Sequence, residues 1–220
     1  MSVAGGIEGD LWSPADVPDD ERLPLLVVHD GPEYDARAGL TGYLEAGIRG
    51  KRLPRLRAAL LGPGDRNRDY AASARYFHGL ARYLLAMPGP RAPVRIGMGT
   101  SLGALAMLHA HSSRPSLFDA LFLQSGSFFT PQCDPQERRF PYFSHIVSYT
   151  AEPALDRPIP VTLTCGLDEE NLANNRRMAD LLREHGYPVT LHELPGGHDW
   201  PSWHGAFDPY LDGLLQQACP

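Results

Sequence analysis

Short apolar runs alternate along this chain with longer stretches whose apolar residues recur at helical spacing. The runs at 23–28, 55–61, 94–100, 119–124 and 160–165 are nearly continuous, as expected of strands buried on both faces. The run at 189–194 alternates with a period of two, and a short first strand is expected over 10–14. Helical spacing covers 35–48, 70–87, 102–110, 172–185 and 203–217. Pro88-Gly89-Pro90 stops one of these helices and Gly186 caps another. Strands alternating with helices predict an α/β fold, a mostly parallel central sheet with helices on both faces. No repeat or low-complexity linker divides the chain, so one domain over 1–220 is expected. The stretch 128–160 breaks the alternation. It is rich in proline and aromatics and reads as an insertion, a lid or a pocket wall, with a helix starting near Asp134; for most of its aromatics, packing onto the core is the simpler role.

Composition narrows the function without choosing it. Acidic residues outnumber basic ones 26 to 20, the net charge is −6, and no basic block stands out, which argues against a nucleic-acid partner. No apolar run is long enough for a membrane span, and the first ten residues lack the charged and apolar regions of a secretion signal, so a cytoplasmic location is expected. Cys133, Cys165 and Cys219 are odd in number and widely spaced; they read as free thiols rather than a disulfide set or a zinc site.

The chemistry concentrates where strands end. After the run at 94–100 comes Gly99-Thr100-Ser101-Leu102-Gly103, a Gly-x-Ser-x-Gly turn from strand to helix. Such a turn forces the serine into strained backbone geometry and lifts its hydroxyl above a helix N-terminus, the form of a nucleophile elbow. Flanking glycines leave room for the crossing chain. Neither a dinucleotide fingerprint nor a phosphate loop fits the same glycines. His198 follows the last strand in the turn Pro195-Gly-Gly-His-Asp-Trp200, and a carboxylate cluster, Asp168-Glu169-Glu170, follows the run at 160–165. Serine, acid, histidine is the chain order of α/β-hydrolases. Serine needs a base to take its proton, histidine is the side chain suited to take and return it, and a carboxylate fixes the imidazole tautomer. Spacing alone does not choose among the three carboxylates.

Leu102, after the serine, would give one oxyanion-hole amide, and the strand-end sequence His29-Asp30-Gly31-Pro32 would give the other; proline has no N–H, so Gly31 is the candidate. Asp30, Arg66, Arg68 and Trp200 are candidate substrate-binding residues on the same edge, although Arg66 and Arg68 fit equally a loop brace with Asp65 or Asp69. His109 and His111 lie two apart on a helix, on different faces, and mark no metal site.

The elbow, Leu121-Phe-Leu-Gln-Ser-Gly-Ser127, Gly166-x-x-Glu169 with Asn174-Asn175-Arg176, and Gly196-Gly-His198-Asp-Trp200-x-x-Trp203 together resemble the putative-esterase branch of the α/β-hydrolases. That branch holds the enterochelin esterases and is related to feruloyl esterases, S-formylglutathione hydrolase and mycolyltransferases. The resemblance runs from about Leu25 to the C-terminus. It implies Ser101 as nucleophile, His198 as base and Glu169 as acid, with Asp168 the alternative. Two features depart from the enterochelin esterases. Those enzymes carry a sizeable N-terminal domain, whereas the first core strand here begins by Leu23, an α/β-hydrolase with a shortened N-terminus. They also tend to have arginine where this chain has His204. The expectation is a serine carboxylesterase needing no cofactor and no metal, acting on a small-molecule ester that a siderophore lactone would exemplify. The alternatives are an acyltransferase on the same triad and a silent hydrolase fold that only binds.

Overall fold

The computed structural model describes residues 7–87 and 89–219. Seven strands, β1 (Glu8–Trp12), β2 (Leu25–His29), β3 (Arg57–Gly62), β4 (Arg95–Thr100), β5 (Ala120–Gln124), β6 (Val161–Gly166) and β7 (Val189–Leu194), form one sheet in the order β1-β3-β2-β4-β5-β6-β7. β1 pairs antiparallel with β3 at one edge, and every other pairing is parallel. Strands at 8–12 and 10–14 differ by two residues: pairing sets the limits here, with Glu8 opposite Gly62 and Trp12 opposite Ala58.

Successive side chains of a strand point to opposite faces, so the sheet sorts its own residues into two layers. Val27, Leu121, Leu123 and Leu163 enter one core with α4 (Ala74–Ala86), α5 (Leu102–Ser113) and α7 (Leu172–Glu184). Leu26, Val28, Met98 and Phe122 enter the other with α1 (Gly31–Ala38), α2 (Leu40–Arg49) and the C-terminal helices. β2, β5 and β6 are buried along their whole length, which is why they read as unbroken apolar runs.

Two expected helices divide and a third starts late. The one over 35–48 becomes α1 and α2, broken by Gly39 at φ +62°. α1 also begins earlier than expected, directly at Gly31. The one over 70–87 starts later, as α4 (Ala74–Ala86), begun by Ser73, whose hydroxyl accepts from the Tyr76 amide; the loop expected before it carries a short helix, α3 (Arg66–Tyr70), and Ala72 at φ +54° separates the two. Pro88, expected to stop it, lies outside the described residues. The closing helix becomes α8 (Trp200–Gly205), a wide turn at Phe207–Leu211 and α9 (Asp212–Ala218). Between β5 and β6 the insertion carries a 3-10 turn (Pro135–Arg139) and α6 (Phe143–Ala151). Phe128, Phe129 and Phe143 are buried in the core, and Phe140, Tyr142 and Tyr149 pack against it. Among the described residues no helix is long and apolar enough to cross a membrane.

Candidate active site

The site lies at the C-terminal ends of β4, β5, β6 and β7. Ser101 joins β4 to α5 at φ +56°, ψ −124°. Such a conformation is costly for a residue with a Cβ, and neighbouring backbone holds it: the Ser101 amide donates to Gln124 O at 2.9 Å, and the Ser127 amide donates to Ser101 O at 3.1 Å. The crossing is tight. A Cβ on Gly99 would lie 2.6 Å from the Gly103 carbonyl carbon, so glycine is required by close approach rather than by φ.

His198 and Glu169 are joined. The turn after β6 places the Glu169 side chain inward, only 1% exposed, with Oε2 2.7 Å from His198 Nδ1. Its other oxygen accepts from the Ser125 hydroxyl and the Gly166 amide, each at 2.7 Å. Burial pushes this carboxyl up, but the hydrogen bonds from His198, Ser125 and Gly166 together outweigh it and hold the group below its ordinary value. With Nδ1–H given to Glu169, His198 leaves Nε2 free to accept a proton. Asp168 and Glu170 are not bonded to His198; the Asp168 amide instead donates to Gly196 O. The turn bearing the histidine passes so closely over β6 that a Cβ on Gly166 would meet Gly196 O at 2.3 Å, and Gly196 itself has φ +119°.

No hydrogen bond joins Ser101 to His198 in this structure. Ser101 Oγ lies 3.2 Å from Ser127 Oγ. Both members nonetheless line one cavity of about 420 Å³, with Leu102, Ser127, Phe129, Phe140 and Glu169. Hydrogen bonds of this kind are often loose without substrate and tighten on binding.

The oxyanion candidates are placed less equally. Leu102 opens α5 and lines the cavity, and the first amides of a helix have no intrahelical acceptor. Gly31 likewise opens α1, but it is not a lining residue, and a Cβ there would strike Leu60 at 2.4 Å. The expected substrate-binding residues stand outside the cavity. Asp30, itself at φ +52°, holds Arg66 through contacts of 2.8 to 3.1 Å. Arg68 bonds Asp69 at 3.1 Å, so the bracing reading holds for Arg68 while Arg66 braces a different partner than expected. Trp200 sits edge-on to Tyr34 and Trp203.

Several contributors have no conspicuous sequence signal. Ser125, at φ +50° and fully buried, accepts from Trp203 Nε1 at 2.9 Å while donating to Glu169. Asn175 accepts from the Gly126 amide at 3.0 Å and donates to Gly126 O at 2.8 Å, fixing the turn after β5. Only the likeness of the segments around them to one family's motifs marks these residues beforehand. Among the described residues no three His, Cys, Asp or Glu side chains group as a metal site, and all three cysteines are free.

This sheet order, with a serine at a strained turn after β4 and a histidine after the last strand, is the α/β-hydrolase fold. Residues 7–214 match the family model described as Putative esterase, and the chain belongs to that family. Among solved structures it is similar to the enterobactin esterase from Shigella flexneri in the presence of 2,3-di-hydroxy-N-benzoyl-glycine, at 20% identity and TM-score 0.73, covering 94% of this chain and 55% of that one. The chain thus spans little more than half the length of that relative. A ferulic acid esterase aligns at 16% identity and TM-score 0.75, covering 96% of this chain and 92% of that one. A fluorophosphonate-binding serine hydrolase from Staphylococcus aureus aligns at 16% identity and TM-score 0.63, covering 93% and 86%. No curated protein sequence matches the chain.

Proposed function

We propose that the protein is a cofactor-free serine carboxylesterase, with Ser101 as nucleophile, His198 as general base and Glu169 as the acid that orients it. The observation that carries this reading is the convergence of a strained serine and a glutamate-backed histidine on one cavity. His198 Nε2 takes the Ser101 proton as Oγ bonds to the ester carbonyl carbon. The carbonyl oxygen becomes an anion, stabilised by the Leu102 amide and by a second amide from the α1 N-terminus, at Gly31. The intermediate collapses, the bond to the alcohol oxygen breaks, and His198 returns its proton to that oxygen. Water then repeats the sequence on the acyl-enzyme, giving the free acid and restoring Ser101.

Before the first step Ser101 Oγ must exchange Ser127 for His198 as its partner. Hydrolysis of p-nitrophenyl esters, wild type beside Ser101→Ala, tests the proposal. The expected loss in kcat is on the order of 10⁴- to 10⁶-fold, with fluorophosphonate labelling abolished. A Ser101→Ala protein that keeps the wild-type rate would sink it.

A further inference from the structure

The cavity beside Ser101 has walls of one sign. Glu137 from the 3-10 turn, and Asp168 and Glu170 on either side of Glu169, all line it, and no lysine or arginine does. Nearby arginines are engaged elsewhere: Arg66 with Asp30, Arg68 with Asp69, Arg176 with Glu193. Arg138 and Arg139 follow Glu137 but are exposed and do not line the cavity. Against the carboxylates stand two aromatic side chains edge to face with centroids 6.2 Å apart: Phe140, half-buried, and Phe129, buried and stacked on Phe143.

These two chemistries suit one kind of group. An apolar chain would be served by the rings alone. An anion, a metal–catecholate complex included, would meet three uncompensated carboxylates. A cation with an apolar skin matches both, because the aromatic wall takes its methyl or methylene surface and the carboxylates neutralise its charge. Each carboxylate alone is worth little in water, and Asp168 and Glu170 are themselves exposed at the rim, but three of one sign around one concavity add their fields. The chain's net charge of −6 has the same sign.

We propose that this cavity selects esters that carry an ammonium group, on either the acyl or the alcohol side, seated against Phe129 and Phe140 among Glu137, Asp168 and Glu170. The inference rests on the Ser101–His198 reading, which defines the site; the carboxylates and rings determine which ester it takes. The same field repels the carboxylate that hydrolysis creates, which favours release of the acid.

Two matched series test it. In one, p-nitrophenyl esters differ only in an acyl chain ending in trimethylammonium, tert-butyl or carboxylate. In the other, acetylthiocholine is compared with its uncharged tert-butyl isostere. In at least one series kcat/KM for the ammonium ester is expected to exceed that of the tert-butyl ester by about tenfold, and the carboxylate ester to be the slowest of its series. Which series shows the advantage tells which side of the ester the cavity holds. The advantage should shrink as salt is raised, and the ammonium-to-tert-butyl ratio should fall towards unity in Glu137→Gln/Glu170→Gln, or in Asp168→Asn if that pair does not fold. Equal rates for charged and uncharged esters in both series, or fastest hydrolysis of the carboxylate ester, would overturn the selectivity and leave the esterase standing. A folded protein that hydrolyses none of the esters and takes no fluorophosphonate would overturn both.

Discussion

Ser101 and His198 are legible in the sequence because each requires glycines beside it, and glycine is conspicuous. Glu169 is not separable from Asp168 and Glu170 by spacing, because each is a carboxylate at the same strand end. In the structure the tight turn back to Gly166 brings Glu169 alone of the three against His198: its amide bonds Gly166 O and its carboxylate meets His198 Nδ1. Ser125 and Ser127 flank a glycine at a strand end, and the structure ties one to Glu169 and the other to the Ser101 hydroxyl. Glu169→Gln keeps the shape of the acid but not its charge. It should lower kcat by about 10³- to 10⁴-fold while KM changes little, measured with the same p-nitrophenyl ester. Ser125→Ala removes one donor to a buried carboxylate and strands the Trp203 indole N–H. It should cost about 1 to 3 kcal/mol in urea unfolding and lower kcat by about tenfold, less than the loss of Glu169 itself.

Strands were easier to read than helices. A fully buried strand has no polar residues to interrupt it, so β2, β5 and β6 stand out within a residue or two. Helices divide where a residue adopts positive φ, and while Gly39 advertises that, Ala72 does not. Polar residues also mislead on helices. Asn174 and Asn175 of α7 are polar yet buried, and tie the helix to the insertion and to the β5 turn. The Asn174 amide donates to Asp134 at 2.7 Å, and Asn175 holds both backbone polar groups of Gly126. α7 therefore locates the Ser125–Ser127 turn relative to Ser101. Asn175→Ala leaves two buried backbone groups unpaired, and should destabilise the protein by about 3 kcal/mol in denaturant unfolding.

For the molecule as a whole, alternation of strands and helices establishes the class of fold but not the order of strands, which depends on which crossovers pack. The response to acid is a property of the whole fold. His29 is fully buried, stacked on Tyr70, with Nδ1–H donated to Gly103 O at 3.0 Å and Nε2 without a partner. Burial holds its pKa down to about 4, against 6.5 in the open chain. Between those values the unfolded chain binds the extra proton, so this contribution is complete above about pH 6.5 and lost as pH falls towards 4. It amounts to about 3 kcal/mol. His109, lowered by burial to about 4, acts in the same direction. Glu169, held below its ordinary value, adds a contribution that disappears as pH falls through its folded value. The urea midpoint should therefore drop steeply from pH 7 to pH 4.5, and His29→Gln, though less stable at neutral pH, should show a shallower slope.

Among the described residues β7 pairs only with β6, and none of its residues is fully buried. Ser101, the proposed nucleophile, hangs from the centre of the sheet, while His198 hangs from its rim. Such rims breathe before the molecule melts. Backbone amides of β7 should accordingly exchange with deuterated water faster than those of β4 and β5. On warming, fluorophosphonate labelling of Ser101 should fade before the ellipticity of the fold does, and return on cooling. The enzyme would in that case have two thermal limits: a lower one at which catalysis is suspended, and a higher one at which the protein is lost.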